Sequence, residues 1–292
     1  MNIADQIIHT TVRIETLSAN GVGGSGTGFF MRLCADATRH VPVIVSNKHV
    51  IAGAALGTFR ITLSKGAEST PDLGQFVGVP ISDFEQGWIK HPDPNIDLAV
   101  FPLAPVMEWM RAQGKSPYFV SLSMDDVADA QFMGKLSAAE DIVMIGYPTG
   151  LWDTRHNLPI VRRGITATPP AVDFDGKPEF MIDCGCFPGS SGSPVLLYNV
   201  GGYHEGNNFN IGTRVKLLGV LWGGPQFTAQ GEIRAVPVPT ATQPIALSRI
   251  PINLGYCVKA TELTWFEEHF KSIVAANGNE VGDVEQSATP AA

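Results

Sequence analysis

Glycine and proline interrupt this chain so often, at 31 and 21 of its 292 positions, that long helices are disfavoured and short strands joined by turns are favoured. Strands are expected at 10–17, 41–45, 96–101, 141–148, 160–167, 180–183, 215–224 and 256–260, where short apolar runs stop at turn residues. Residues 64–85 read as polar loop, and 151–159 as a second loop carrying Trp152 and His156. Around 104–138 the pattern weakens to a short helical turn at 107–111 and an acidic surface loop at 123–130, the expected seam between two halves. Residues 224–251 form a Pro-rich insertion of the kind that rims a site. After the last strand, Thr264 and Glu267 have capping-box spacing. Trp265, Phe266, Phe270, Ile273 and Val274 then supply an apolar face at helical spacing, for packing and not for a cofactor.

With 44% hydrophobic and 16% charged residues, the chain can bury a sizeable core as one large domain or two small ones. A net charge of −8 supplies no evident basic face for phosphates and argues against a nucleic-acid partner. No run approaches the ~20 apolar residues of a membrane span, and the first residues lack a secretory pattern. Cys34, Cys184, Cys186 and Cys257 are too scattered for a disulfide framework or a zinc site. The expectation is a soluble, cytoplasmic protein with free thiols.

Chemistry concentrates in Phe187-Pro188-Gly189-Ser190-Ser191-Gly192-Ser193-Pro194. Pro188 fixes its own φ and Gly189 reaches conformations closed to other residues, so consecutive N–H groups can converge outside any ladder. Convergent N–H groups suit a developing oxyanion, and a serine beside them suits a nucleophile. An ordinary Gly/Ser/Pro turn is the competing reading. Upstream, His49 ends an apolar strand, where an isolated histidine would simply pack. Asp97 lies in an apolar setting, where it must find a partner; a turn role competes with orienting a histidine.

Other motifs are set aside. Gly21-x-Gly23-x-x-Gly26 has dinucleotide-fingerprint spacing, but no helix is expected after it. An α/β-hydrolase elbow needs glycine where Ser193 stands. Neither Cys184 nor Cys186 sits after the Pro-Gly turn, as a cysteine nucleophile would.

Taken together, Gly26-Thr27-Gly28-Phe29, Asn47-Lys48-His49-Val50, Asp97-Leu98-Ala99-Val100, Gly189-Ser190-Ser191-Gly192-Ser193-Pro194 and Gly219-Val220-Leu221-Trp222-Gly223 resemble the chymotrypsin/trypsin-like serine peptidases. Ile145-Gly146-Tyr147-Pro148 and the Pro-Gly before the serine look closer to the bacterial Deg/HtrA branch, here without a PDZ domain. The resemblance implies an all-β chain of two six-stranded antiparallel barrels with a C-terminal α-helix. Its divisions would be 1–122 with His49 and Asp97, 123–260 with Ser191, the helix at 261–276 and a disordered tail at 277–292.

It further implies an endopeptidase working through an acyl-enzyme, with no metal or cofactor. Ser191 would be the nucleophile, His49 the base then acid, and Asp97 its orienting group. Gly189 and Ser191 N–H groups would form the oxyanion hole. Gly185 would floor an uncharged specificity pocket, with Leu221, Trp222 and Gly223 beside it receiving a protein or peptide substrate. Cys186 and Cys257 would fall near that pocket as buried, inert thiols. Several positions depart from the family. Ser190 replaces the acid that pairs with a new N-terminus in digestive members, which removes that activation route. Ser193 replaces a glycine, and Leu221 replaces a serine near the triad aspartate. These departures leave room for a latent peptidase awaiting a regulatory partner, or for a weakly active peptide-binding scaffold.

Overall fold

The computed structural model describes residues 2–36, 38–66, 70–232 and 245–277. In the N-terminal half lie β1 (Thr11–Ser18), β2 (Gly23–Leu33), β3 (Val41–Ser46), β4 (Ala54–Lys65), β5 (Thr70–Ser82), β6 (Ile89–Lys90), β7 (Ala99–Pro102) and β8 (Leu122–Ser123). They form one sheet in the order β5-β4-β1-β2-β3-β7-β6, with β8 added in parallel to β2. Next come β9 (Asp141–Gly146), β10 (Ile160–Thr166), β11 (Glu179–Asp183), β12 (Pro194–Asn199), β13 (Tyr203–Glu205), β14 (Asn208–Asn210), β15 (Arg214–Gly223), β16 (Gln226–Glu232), β17 (Ile245–Pro251) and β18 (Leu254–Lys259). Six of these close an antiparallel barrel, β10-β11-β18-β15-β12-β9, while β13–β14 and β16–β17 are separate hairpins. A helix, Thr264–Asn277, follows. The fold is therefore mostly β, with a C-terminal helix.

Core burial explains why the central strands read as unbroken apolar runs. In the first half, Val12, Ile14, Phe30, Ile44, Phe59, Phe101 and others share one core, so that sheet must curl around them. Ile142, Met144, Val195, Leu197 and Phe180 fill the closed barrel. The residues between them point the other way: Phe29, Met31, Val43, Val45 and Val100 meet Val143, Ile145, Leu196 and Val220 in a third core, which also takes Phe266 and Phe270 from the helix. Strands buried on both faces lose the polar half of their alternation. Each such side chain withdrawn from water contributes about 1.5–3 kcal/mol, so the two halves are joined by apolar packing.

Several sequence expectations need correction. Residues 64–85 are not a polar loop: β4 runs to Lys65 and β5 covers Thr70–Ser82. Pro71 and Pro80 disguise β5, but it pairs only with β4 at the sheet edge, where a missing prolyl N–H is tolerated. The turn at 107–111 is part of a helix, Ala104–Ala112, that buries Val106 and Met110. Within 123–130, Met124–Asp126 form a 3-10 turn with a capping box between Ser123 and Asp126, Asp129 caps the short helix that follows, and Val127 and Ala128 are buried.

The capping box at Thr264 is not formed. A 3-10 turn, Ala260–Leu263, runs straight into the helix, and Thr264 is already helical. Glu267 instead accepts the Cys34 backbone N–H at 2.7 Å. On the expected apolar face Phe266 and Phe270 are buried, whereas Ile273 and Val274 are exposed. The 224–251 insertion contains the β16–β17 hairpin. Residues 233–244, and 278–292 of the expected tail, lie outside the described residues. Among the described residues, no helix is long and apolar enough to cross a membrane.

Two buried histidines make stability depend on pH. His9 and His91 are buried. Desolvation pushes both imidazoles below their ordinary value, with Lys48 adding to the effect at His91. A depressed folded value means the unfolded chain takes up protons first. The stability gained by keeping these rings neutral is complete above about pH 6.5 and is lost as pH falls below it. Thermal melts should show Tm dropping through this window, with a shallower slope in His91→Asn. An unchanged slope in that variant would assign the acid sensitivity elsewhere.

Candidate active site

β3 ends at Ser46, and Asn47 starts a one-turn helix, Lys48–Ile51, that carries His49. The Asn47 side chain does not cap that helix. Its Nδ2 donates to the Asp97 carbonyl at 2.6 Å, while Lys48 Nζ donates to the Asp93 carbonyl at 2.6 Å. The turn bearing the histidine is thus tied twice to the loop bearing the aspartate. His49 Nδ1 meets Asp97 Oδ2 at 2.5 Å, and the His49 backbone N–H donates to Oδ1 at 3.1 Å. Facing a carboxylate, Nδ1 carries the ring proton and Nε2 is left as the basic nitrogen. The His49 side chain is 48% exposed and that of Asp97 22%, so the ring is open to a ligand while the carboxylate is partly screened.

Ser191 lies on the turn between β11 and β12, beside two left-handed glycines, Gly189 (φ 84°) and Gly192 (φ 86°). Gly192 N–H donates to the Leu221 carbonyl at 2.8 Å, and Leu221 N–H to the Ser193 carbonyl at 3.0 Å. These bonds dock the loop on β15. Among the described residues, neither the Gly189 nor the Ser191 N–H has a protein acceptor. Both residues line a cleft of about 400 Å³ together with His49, Val50 and the tip of the β1–β2 hairpin. Donors left free at a cleft wall are available to a negatively charged oxygen.

The expected serine-to-histidine link is not made. Ser191 Oγ donates instead to the Trp222 carbonyl at 3.3 Å. The structure therefore pairs His49 with Asp97 and brings Ser191 to the same cleft, but leaves its hydroxyl turned to β15. Leu221 is buried and gives Asp97 no hydrogen bond, so the carboxylate relies on His49 and its backbone. The Trp222 ring stacks on Tyr256 at 5.5 Å, and there is open space beside Gly223. Gly185 offers its carbonyl to Arg162. Cys186 Sγ fills the space beside Gly255, where a β-carbon would come within 2.5 Å of it. Burial pushes Cys186 up to about 12 and Cys257 well above its ordinary value, so both are unreactive thiols. The Ser193 hydroxyl occupies space left by Gly146, where a β-carbon would come 2.1 Å from it.

Sequence reading gave Thr27 and Asn47 no role. Fully buried Thr27 donates from Oγ1 to the Gly189 carbonyl at 3.0 Å and accepts the Tyr147 N–H at 3.1 Å. Its own N–H donates to the Ser191 carbonyl at 2.9 Å. One threonine from β2 therefore holds both residues of the donor pair across the junction between the halves. A hydroxyl residue between glycines in an apolar strand was the available signal. Close approach here also sets a sharp limit: a β-carbon at Gly192 would lie 1.9 Å from the Thr27 carbonyl and 2.5 Å from Ser46 Oγ. Gly192→Ala is expected to destabilise the fold by about 3 kcal/mol or more, read as a lower denaturant midpoint. An unchanged midpoint would mean that this contact relaxes freely.

A family model described as a trypsin-like peptidase domain matches residues 26–202, a stretch that contains His49, Asp97 and Ser191. A search of curated proteins finds no match. Among solved structures, the chain is similar to the Rv3671c protease from M. tuberculosis in its active form, at 15% identity and a TM-score of 0.43 over 98% of this chain and 86% of that one. It is also similar to the HtrA-type protease AlgW with a tripeptide, at 13% identity and a TM-score of 0.45 over 94% of this chain and 63% of that one. With a closed antiparallel barrel, a second sheet packed against it and a family match over more than half its length, the chain belongs to the trypsin-like peptidase family.

Proposed function

We propose that this protein is a serine endopeptidase that works through an acyl-enzyme. The observation that carries the reading is the 2.5 Å contact between His49 and Asp97, on a cleft shared with Ser191 and the free Gly189 and Ser191 N–H groups. In this scheme Ser191 Oγ attacks the acyl carbon of a bound peptide, and His49 Nε2 takes the hydroxyl proton. Asp97 stabilises the imidazolium that forms. The two backbone donors receive the developing oxyanion. His49 then returns the proton to the leaving amine, and water repeats the sequence on the ester to release the acid and restore Ser191. The substrate main chain would lie along Trp222 and Gly223 as an added strand.

The bond from Ser191 Oγ to Trp222 favours a latent form of this activity. The hydroxyl must rotate away from that carbonyl before His49 can take its proton, and a substrate or protein partner that occupies the carbonyl would release it. Cytoplasmic residence, consistent with the unpaired cysteines, belongs to the same proposal. A fluorophosphonate probe, followed by mass spectrometry of the modified peptide, tests the reading: the adduct is expected on Ser191. No adduct alongside tight peptide binding would favour the second reading, a peptide-binding scaffold on a peptidase fold.

A further inference from the structure

Arg162 sits on β10, and its sequence neighbours Val161 and Arg163 are exposed while it is itself half-buried. Its Nη1 donates to the Gly185 carbonyl at 2.6 Å and to Ser190 Oγ at 2.7 Å. Its Nε and Nη2 are buried with no hydrogen-bond partner among the described residues. The ionisable neighbours that act on this guanidinium are the thiols of Cys184 and Cys186. Burial pushes both thiols up, so they stay neutral and supply no counter-charge. A buried guanidinium with two idle nitrogens and, among the described residues, no carboxylate paired with it is a costly arrangement, and packing alone does not account for it.

What the guanidinium does hold is specific. Gly185 and Ser190 bracket the segment that leads into the candidate oxyanion hole, and one nitrogen is bonded to both. Between them lies Gly189, held at φ 84°, a residue whose backbone would otherwise sample both signs of φ. Its carbonyl is fixed from the first half of the chain by Thr27. The next residue, Ser190, has a fully buried side chain, and Arg162 is the side-chain anchor on it.

We propose that Arg162 is a positioning residue: by clamping Gly185 and Ser190 from inside the barrel, it keeps the Gly189 and Ser191 N–H groups aimed into the cleft. Ser190 stands where digestive relatives carry an acid, so here the cation comes from the barrel wall and the neutral partner from the loop. The loop is then set by folding alone. This inference rests on the oxyanion-hole reading above and extends it to a residue that never touches substrate.

The test uses the full chain, with fluorophosphonate labelling rate and p-nitrophenyl acetate turnover as readouts. Arg162→Met and Ser190→Ala should each slow labelling by about 10- to 100-fold, approaching the loss of one oxyanion donor. kcat should fall while KM stays nearly constant, and Arg162→Lys should recover part of the rate. The double variant should be no slower than Arg162→Met, because Arg162→Met already removes the Arg162–Ser190 bond that Ser190→Ala breaks. If Arg162→Met fails to fold, the smaller Ser190→Ala change decides the matter by itself. Wild-type labelling rates in a folded Ser190→Ala protein, or losses that simply multiply in the double variant, overturn the proposal while leaving the peptidase reading intact. A wild-type chain that takes no label at all sinks both.

Discussion

Ser191→Ala is expected to abolish fluorophosphonate labelling and to lower peptide hydrolysis by several orders of magnitude, toward the ~10⁶-fold seen when a triad nucleophile is removed elsewhere. The reason is chemical. Neither neighbouring serine of the loop is placed to replace it: Ser190 is buried and bonded to Arg162, and the Ser193 hydroxyl is buried against Gly146. Fold and peptide binding should survive, since Ser191 Oγ makes one long hydrogen bond to a carbonyl. What the loop needs from this residue is its backbone, whose carbonyl accepts from Thr27. Binding kept while labelling is lost would separate the nucleophile from the framework. Undiminished hydrolysis in this variant would falsify the serine mechanism.

Asp97→Asn carries the second largest expected effect, a fall of about 10³–10⁴ in kcat with nearly unchanged stability. The carboxylate does two jobs at once, accepting from the His49 ring at Oδ2 and from the His49 backbone at Oδ1. An amide has one oxygen. If that oxygen keeps the backbone N–H, the amide nitrogen must face Nδ1, and the ring is forced to carry its proton on Nε2. The nitrogen needed as a base is then already protonated. Because Leu221 gives no compensating hydrogen bond, nothing else in the site can restore the tautomer. The Asn47 bond to the Asp97 carbonyl is untouched, so the loop stays in place. Comparing kcat with the melting temperature checks this: a loss of activity that merely tracks unfolding would argue against a tautomeric role.

Parts of this arrangement were legible before any coordinates. The strands at 41–45 and 141–146 announce themselves because both of their faces are buried, one against its own core and one against the other half. β5 did not, because an edge strand can carry Pro71, Gly74, Gly78 and Pro80 and so imitates a loop. The Thr264 capping signal misled for a related reason: local spacing states that a cap is possible, but the preceding 3-10 turn occupied that position and Glu267 was drawn to Cys34.

Residue chemistry, order along the chain and the family resemblance together singled out His49, Asp97 and Ser191 as candidates, against the competing readings of a packed histidine, a turn aspartate and an ordinary Gly/Ser/Pro turn. Sequence alone also marked Gly189 as able to take a backbone conformation closed to other residues, whereas the left-handed φ at both Gly189 and Gly192 came from the fold. Only the tertiary structure could decide that Thr27 spans the two halves, that Arg162 reaches Ser190 from inside the barrel, and that the Ser191 hydroxyl rests on Trp222 rather than on His49. Those three facts are distances between groups far apart along the chain. They depend on how the two sheets pack, and no local pattern records that.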